Sequence, residues 1–128
     1  MEINDITYKV NGAVFEVNRV LGSGFLEKVY ENALLFEIKK QGLKAERQVP
    51  IKVLYKKHLV GEYIADIFVE KKVVVEIKTV ENLDKMHEAQ LLNYLKATGL
   101  QIGLLVNFKH PKAEIKRMVL NLPEYHDA

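Results

Sequence analysis

The chain has 128 residues, 48% of them apolar, which sets the expectation of one core and one domain spanning residues 1–128. Its net charge of +2 is too small to signal a nucleic-acid partner, so any phosphate-binding face must be local. Without Cys, disulfides, thiolate zinc sites and iron–sulfur clusters are excluded. The segment Met1-Glu2-Ile3-Asn4-Asp5 lacks a basic region followed by an apolar stretch, so no signal peptide is expected. No apolar run approaches the ~20 residues of a membrane span, and the expected address is the cytoplasm, with no membrane partner.

Residues ~4–21 read as a helix capped by Asn4 or Asp5, because Val10, Ala13, Val14, Val17, Val20 and Leu21 recur at helical spacing. Gly22-Ser23-Gly24 breaks it. A second helix is predicted from about Leu26 to Gln41, with Gly42 as its stop. The period then changes: Val49, Ile51, Val53 and Tyr55 alternate with polar residues, so 48–55 is a strand. Lys56-Lys57-His58 is the expected turn. Leu59–Val69 and Val73–Thr79 follow as second and third strands. A helix over Asn82–Thr98 is stopped by Gly99, and Gln101–Asn107 is a short apolar strand. After Pro111, the pattern of Ala113–Leu120 fits a strand or a helix. The order α-α-β-β-β-α-β, with an undecided last element, predicts an α/β (mixed α+β) fold with a mixed sheet flanked by helices.

Asp66, Glu76 and Lys78 carry the chemistry. By strand parity, Val60, Glu62, Ile64, Asp66 and Phe68 share one face, and Val74, Glu76 and Lys78 share a face of the next strand. A three-residue turn, Glu70-Lys71-Lys72, pairs Val69 with Val73 and sets Asp66 opposite Glu76, with Cβ atoms about 4.5–5.5 Å apart. A two-residue turn would send the acids to opposite faces. Two anions face to face among Val, Ile and Phe are destabilising unless a cation lies between them, and oxygen ligands suit Mg²⁺ or Mn²⁺. The plain alternative is a solvated strand face with a cross-strand ion pair.

On the second helix, Glu27, Tyr30 and Glu31 fall at i, i+3 and i+4, with Leu34 continuing that side. An acid there supplies a further ligand or simply suits a helix N-terminus. On the later helix, Leu83, His87, Gln90, Tyr94 and Ala97 form one stripe; a core-side Gln needs hydrogen-bond partners, from the site or from a neighbouring loop. His58, His110 and His126 form no zinc-hydrolase pattern. Lys39, Lys40, Lys44, Arg47, Lys52, Lys56, Lys57, Lys71 and Lys72 are candidates for a phosphate-tracking rim, with solvated lysine the ordinary explanation.

Gly24-x-x-Glu27-x-x-Tyr30 resembles the signature of the GxxExxY protein family, a RecB-like branch of the PD-(D/E)xK nuclease superfamily. Gly61-Glu62-Tyr63-Ile64-Ala65-Asp66, Glu76-Ile77-Lys78 and Gln90-Leu91-Leu92-Asn93-Tyr94 are similar to three further elements of that group, in the same order. The chain departs at Ala65, where the superfamily name has proline. The resemblance implies a restriction-endonuclease-like core and a Mg²⁺- or Mn²⁺-dependent nuclease acting on nucleic acid, with DNA favoured and a 5′-phosphate product. It also implies roles: Asp66 and Glu76 as metal ligands with the Ile77 carbonyl, and Glu27 as an extra ligand, direct or through water. Lys78 would position water or stabilise charge, while Gln90 and Tyr94 organise the site. The alternative is a catalytically silent nucleic-acid-binding module, or one that dimerises in an assembly, which keeps the fold.

Overall fold

The computed structural model describes residues 1–120, so His126 lies outside the described residues. Two helices, α1 (Ile3–Leu21) and α2 (Glu27–Lys40), precede the hairpin of β1 (Ala45–Tyr55) and β2 (His58–Val69). Then come β3 (Val73–Lys78), α3 (Lys85–Thr98), β4 (Ile102–Asn107) and β5 (Glu114–Val119). The five strands lie in the order β1-β2-β3-β4-β5. All neighbours are antiparallel except β3 and β4, which are parallel because α3 carries the chain across between them. This is the mixed sheet flanked by helices that the pattern predicts.

Two apolar cores sandwich the sheet. On one face Ile6, Val10 and Val14 of α1 and Tyr30, Leu34 and Ile38 of α2 pack on Val73, Val75 and Ile77. On the other, Leu91, Tyr94 and Leu95 of α3 pack on Ile51, Ala65, Val74 and Leu105. Gly103 lets α3 approach: a Cβ there would lie 2.8 Å from Leu91 Cδ1.

Several boundaries differ from the sequence reading. Glu2, not Asn4 or Asp5, is the N-cap of α1; Asn4 Oδ1 accepts instead from Arg117. β1 starts at Ala45, three residues early, because Ala45 pairs with Val69. α3 starts at Lys85 rather than Asn82, where Asp84 accepts from the His87 N–H and His87 Nδ1 accepts from the Asp84 N–H. The undecided last element is strand β5, held by pairs from Ile102↔Val119 to Asn107↔Glu114. Lys56 and Lys57 alone make the first hairpin turn, both at positive φ (48° and 70°), matching the strand twist.

Strand parity also fails at one place. Ala65 packs with the α3 core, yet Ile67 and Val69, of the same parity, pack with the α1–α2 core. The switch falls at Asp66. Opposite it, Gln48 has φ +53° and drops out of the ladder between the pairs Arg47↔Ile67 and Val49↔Ala65. Asp66 therefore does not share one regular face with Val60, Glu62, Ile64 and Phe68.

Candidate active site

The β2–β3 connection sets the site. Glu70-Lys71-Lys72 is the turn, and the register runs Val69↔Val73, Phe68↔Val74, Ile67↔Val75. One more step in that register puts Asp66 opposite Glu76, where the ladder stops. Side chains replace its missing bonds. The Asp66 N–H donates to Glu76 Oε2 at 2.7 Å, and the Ile77 N–H donates to Asp66 Oδ2 at 2.8 Å. Each strand holds the other's carboxylate, so the two acids are fixed at the mouth where the strands part.

Glu76 is 5% exposed. Burial, then repulsion from Asp66, pushes its carboxyl up to about 8, with Asp66 N–H and the Lys78 charge acting the other way. Burial pushes the Asp66 carboxyl up to about 6; the Ile77 N–H opposes this, and the charges of Glu31 and Glu27 add to it. Lys78 lowers both values by its charge, but no ion pair within 4.0 Å joins it to either acid among the described residues. The pair is short of positive charge.

The flanking residues are placed as follows. Tyr94 is buried in one core cluster with Ala65 and Val74, and its hydroxyl is pushed up to about 12 by burial and then by the charges of Glu76 and Asp66. Gln90, one turn earlier, is half-buried and lines an open groove with Tyr63, His87 and Asn93. The buried stripe of α3 is Leu91, Tyr94 and Leu95, so His87, Gln90 and Ala97 border the groove side rather than the core. Glu27 is exposed in the first turn of α2 and acts on the pair through its charge. Among the described residues no three His, Asp or Glu side chains gather as a ready metal cage.

Tyr30 has a clear local task. Its hydroxyl donates to the Gly22 carbonyl at 2.6 Å and accepts from the Phe25 N–H at 3.2 Å. Its ring stacks on Phe108 at 4.5 Å. Gly24 sits at φ +111°, which a side chain would resist. Glycine and tyrosine of the Gly24–Tyr30 segment thus fix the α1–α2 loop that leads into Glu27, the first residue of α2.

Two contributors escaped the sequence reading. Glu31, 3% exposed, is bound by Gln48 Nε2 (2.7 Å), Lys28 Nζ (3.1 Å) and Arg47 Nη1 (3.2 Å). The helical spacing showed that Glu31 faces protein, but its partners on β1 are remote in sequence. Asn107 is fully buried; it accepts from the Val80 N–H and donates to the Val80 carbonyl, fixing the chain just beyond Lys78. An Asn ending an apolar strand was its one signal. The lysine rim does not form as a unit: Lys56-Lys57 and Lys71-Lys72 lie at opposite ends of β2, roughly 40 Å of strand apart.

A family model described as the PD-(D/E)XK nuclease superfamily matches residues 4–118. The chain belongs to this superfamily. The solved structure of SSO0001 shares its fold, with a TM-score of 0.50 and 18% identity, covering 98% of this chain and 81% of that one. No curated protein matches. PD-(D/E)XK nucleases are as a group phosphodiesterases that use divalent metal ions. The donor set of this chain fits such an ion: two carboxylates with raised pKa values, held side by side by backbone amides, all oxygen and hard. No described helix is long and apolar enough to cross a membrane.

Proposed function

We propose that this chain is a Mg²⁺- or Mn²⁺-dependent nuclease of the GxxExxY, RecB-like branch, hydrolysing phosphodiesters of DNA. One observation carries the reading: Asp66 and Glu76 are locked together by each other's strand, with no cation in ion-pair contact with either among the described residues. The Asp66 and Glu76 carboxylates and the Ile77 carbonyl would hold the ion, with Glu27 reaching it through water. When bound, the ion supplies Lewis-acid polarisation of the phosphate and lowers the pKa of water. Lys78, on the same strand face as Glu76, orients the attacking water and offsets charge building on the phosphoryl oxygens. Water oxygen bonds to phosphorus as the bond from phosphorus to the 3′ oxygen breaks, leaving a 5′-phosphate and a 3′-hydroxyl. Tyr94 and Gln90, which line the groove along α3, would steady the incoming strand.

Lys78→Ala should reduce cleavage of DNA in Mn²⁺ by at least about 100-fold, the scale of losing one charge-stabilising group. Its Mn²⁺ affinity should stay within about threefold of wild type. Equal cleavage by both proteins would reject the assignment. One observation favours the second reading, a silent nucleic-acid-binding or dimerising module: no third acidic or His side chain completes a cage among the described residues. Metal-independent DNA binding without cleavage would select that reading.

A further inference from the structure

Beside the carboxylates, two cavities of about 440 and 460 Å³ lie between α3 and the β1–β2 hairpin. Both are lined by Tyr63 and Asn93, so they form one groove that meets at those residues. Its inner end carries Gln90 and Tyr94; its outer end carries Lys52 and Lys96. Neither carboxylate lines it, yet Tyr94 joins the two regions, since it packs in one cluster with Ala65, the residue before Asp66, and Val74, two before Glu76.

The hairpin makes the groove. β2 pairs with β3 only from Ile67 to Val69, so residues 58–65 run on as a two-stranded arm beside α3. Tyr63 faces α3 from that arm, its ring 5.4 Å from the Tyr94 ring and tilted by 44°. Tyr94 is buried, but Tyr63 remains 46% exposed. An exposed ring braced by a buried one is a platform for another flat group. Around it stand the side-chain amides of Asn93 and Gln90, which can bond base edges, while Lys52, cross-strand from Glu62, lines the outer end where a phosphate would pass. The acid in the groove, Asp84, is engaged as the cap of α3.

We propose that this groove is a base-stacking subsite for an unpaired nucleic-acid strand, with a base on Tyr63 and its backbone passing Lys52. This rests on the nuclease reading for its position but not for its chemistry. A half-exposed ring in this groove stacks on a free base face, which a paired duplex does not offer. Stacking accepts any base, so the site tracks strand state rather than sequence.

The test is fluorescence anisotropy in EDTA, where metal-dependent cleavage cannot intrude. The ligands are oligothymidylate, an abasic oligomer of equal length and a duplex. Wild type should bind oligothymidylate more tightly than the abasic oligomer. Tyr63→Ala should lose about tenfold for oligothymidylate and nothing for the abasic oligomer, while Tyr63→Phe should bind as wild type. Lys52→Glu, at an exposed position, should weaken both single strands and reduce the salt dependence. Unchanged oligothymidylate binding by Tyr63→Ala, no preference of wild type for bases over abasic sites, or equal losses for duplex would overturn the proposal. If Tyr63→Ala does not fold, Lys52→Glu and the abasic comparison still decide it. Loss of cleavage in Lys78→Ala alongside intact Tyr63-dependent binding separates failure of the groove from failure of the nuclease.

Discussion

Two buried acidic centres lie close together in this protein and are solved in opposite ways. Glu31, on α2, is met by Lys28, Arg47 and Gln48, so its charge is answered within the chain. Asp66 accepts from the Ile77 N–H and Glu76 from the Asp66 N–H, Lys78 acts on them only from beyond ion-pair distance, and burial raises their pKa values. Burial of an acid therefore does not mark a site by itself. What marks it is a shortage of positive charge that the fold does not fill, because a carboxylate is kept in such surroundings only with a partner. Glu31 is structural on this criterion; the β2–β3 pair is the proposed ion site.

Divalent metal should separate the two centres most widely. At a free Mg²⁺ or Mn²⁺ concentration about a hundredfold above the dissociation constant, binding to the native state stabilises by about 2.7 kcal/mol. Differential scanning calorimetry at pH 8 should show a rise in Tm of roughly 10 °C. Glu76→Gln should lose most of that rise, and Glu31→Gln should keep it. Equal rises in both variants would erase the distinction.

Proton linkage sharpens the same contrast in metal-free protein. The folded values, about 6 for Asp66 and about 8 for Glu76, stand above the ordinary 3.8 and 4.5. Between those limits the native state binds more protons than the unfolded chain, so stability falls as pH rises. The stability is whole below about pH 4 and is lost progressively toward pH 8. Glu76→Gln removes the carboxyl that must ionise, so urea unfolding at pH 8 should show it more stable than wild type by about 1–2 kcal/mol. At pH 5 the gap should shrink. A wild type that gains stability from pH 5 to 8 in EDTA would contradict this.

The structural centre should respond weakly. Lys28 and Arg47 are half-exposed and regain water when their partner goes, so Glu31→Gln should cost about 1 kcal/mol in the same unfolding assay. Tyr30→Phe, which removes the hydroxyl bridging Gly22 and Phe25, should cost about 1 kcal/mol or less. It should leave Mn²⁺ affinity unchanged; a loss of affinity would mean that the α1–α2 loop places Glu27 more tightly than its exposure suggests.

Much of this was legible in the residues because local rules decided it. The three-residue turn Glu70-Lys71-Lys72 determines the register that sets Asp66 against Glu76. Gly42 and Gly99 lie just past the ends of α2 and α3, at φ +86° and +79°. The misreadings come where distant contacts override local pattern. Gln48 at φ +53° breaks the ladder and switches the face of β2, and nothing in alternation signals that. The Asp84–His87 capping box overrides a helix start at Asn82. The neutralisation of Glu31 depends on β1 folding back beside α2, and the Tyr63 groove on a hairpin that outruns its neighbour, so neither is a property of one segment.

Calorimetric titration of Mn²⁺ into wild type and Asp66→Asn at pH 8 is the most direct test of the charge-deficient pair. One saturable site in wild type, accompanied by proton release and lost in Asp66→Asn, is the predicted result. Equal heats from both proteins would contradict it.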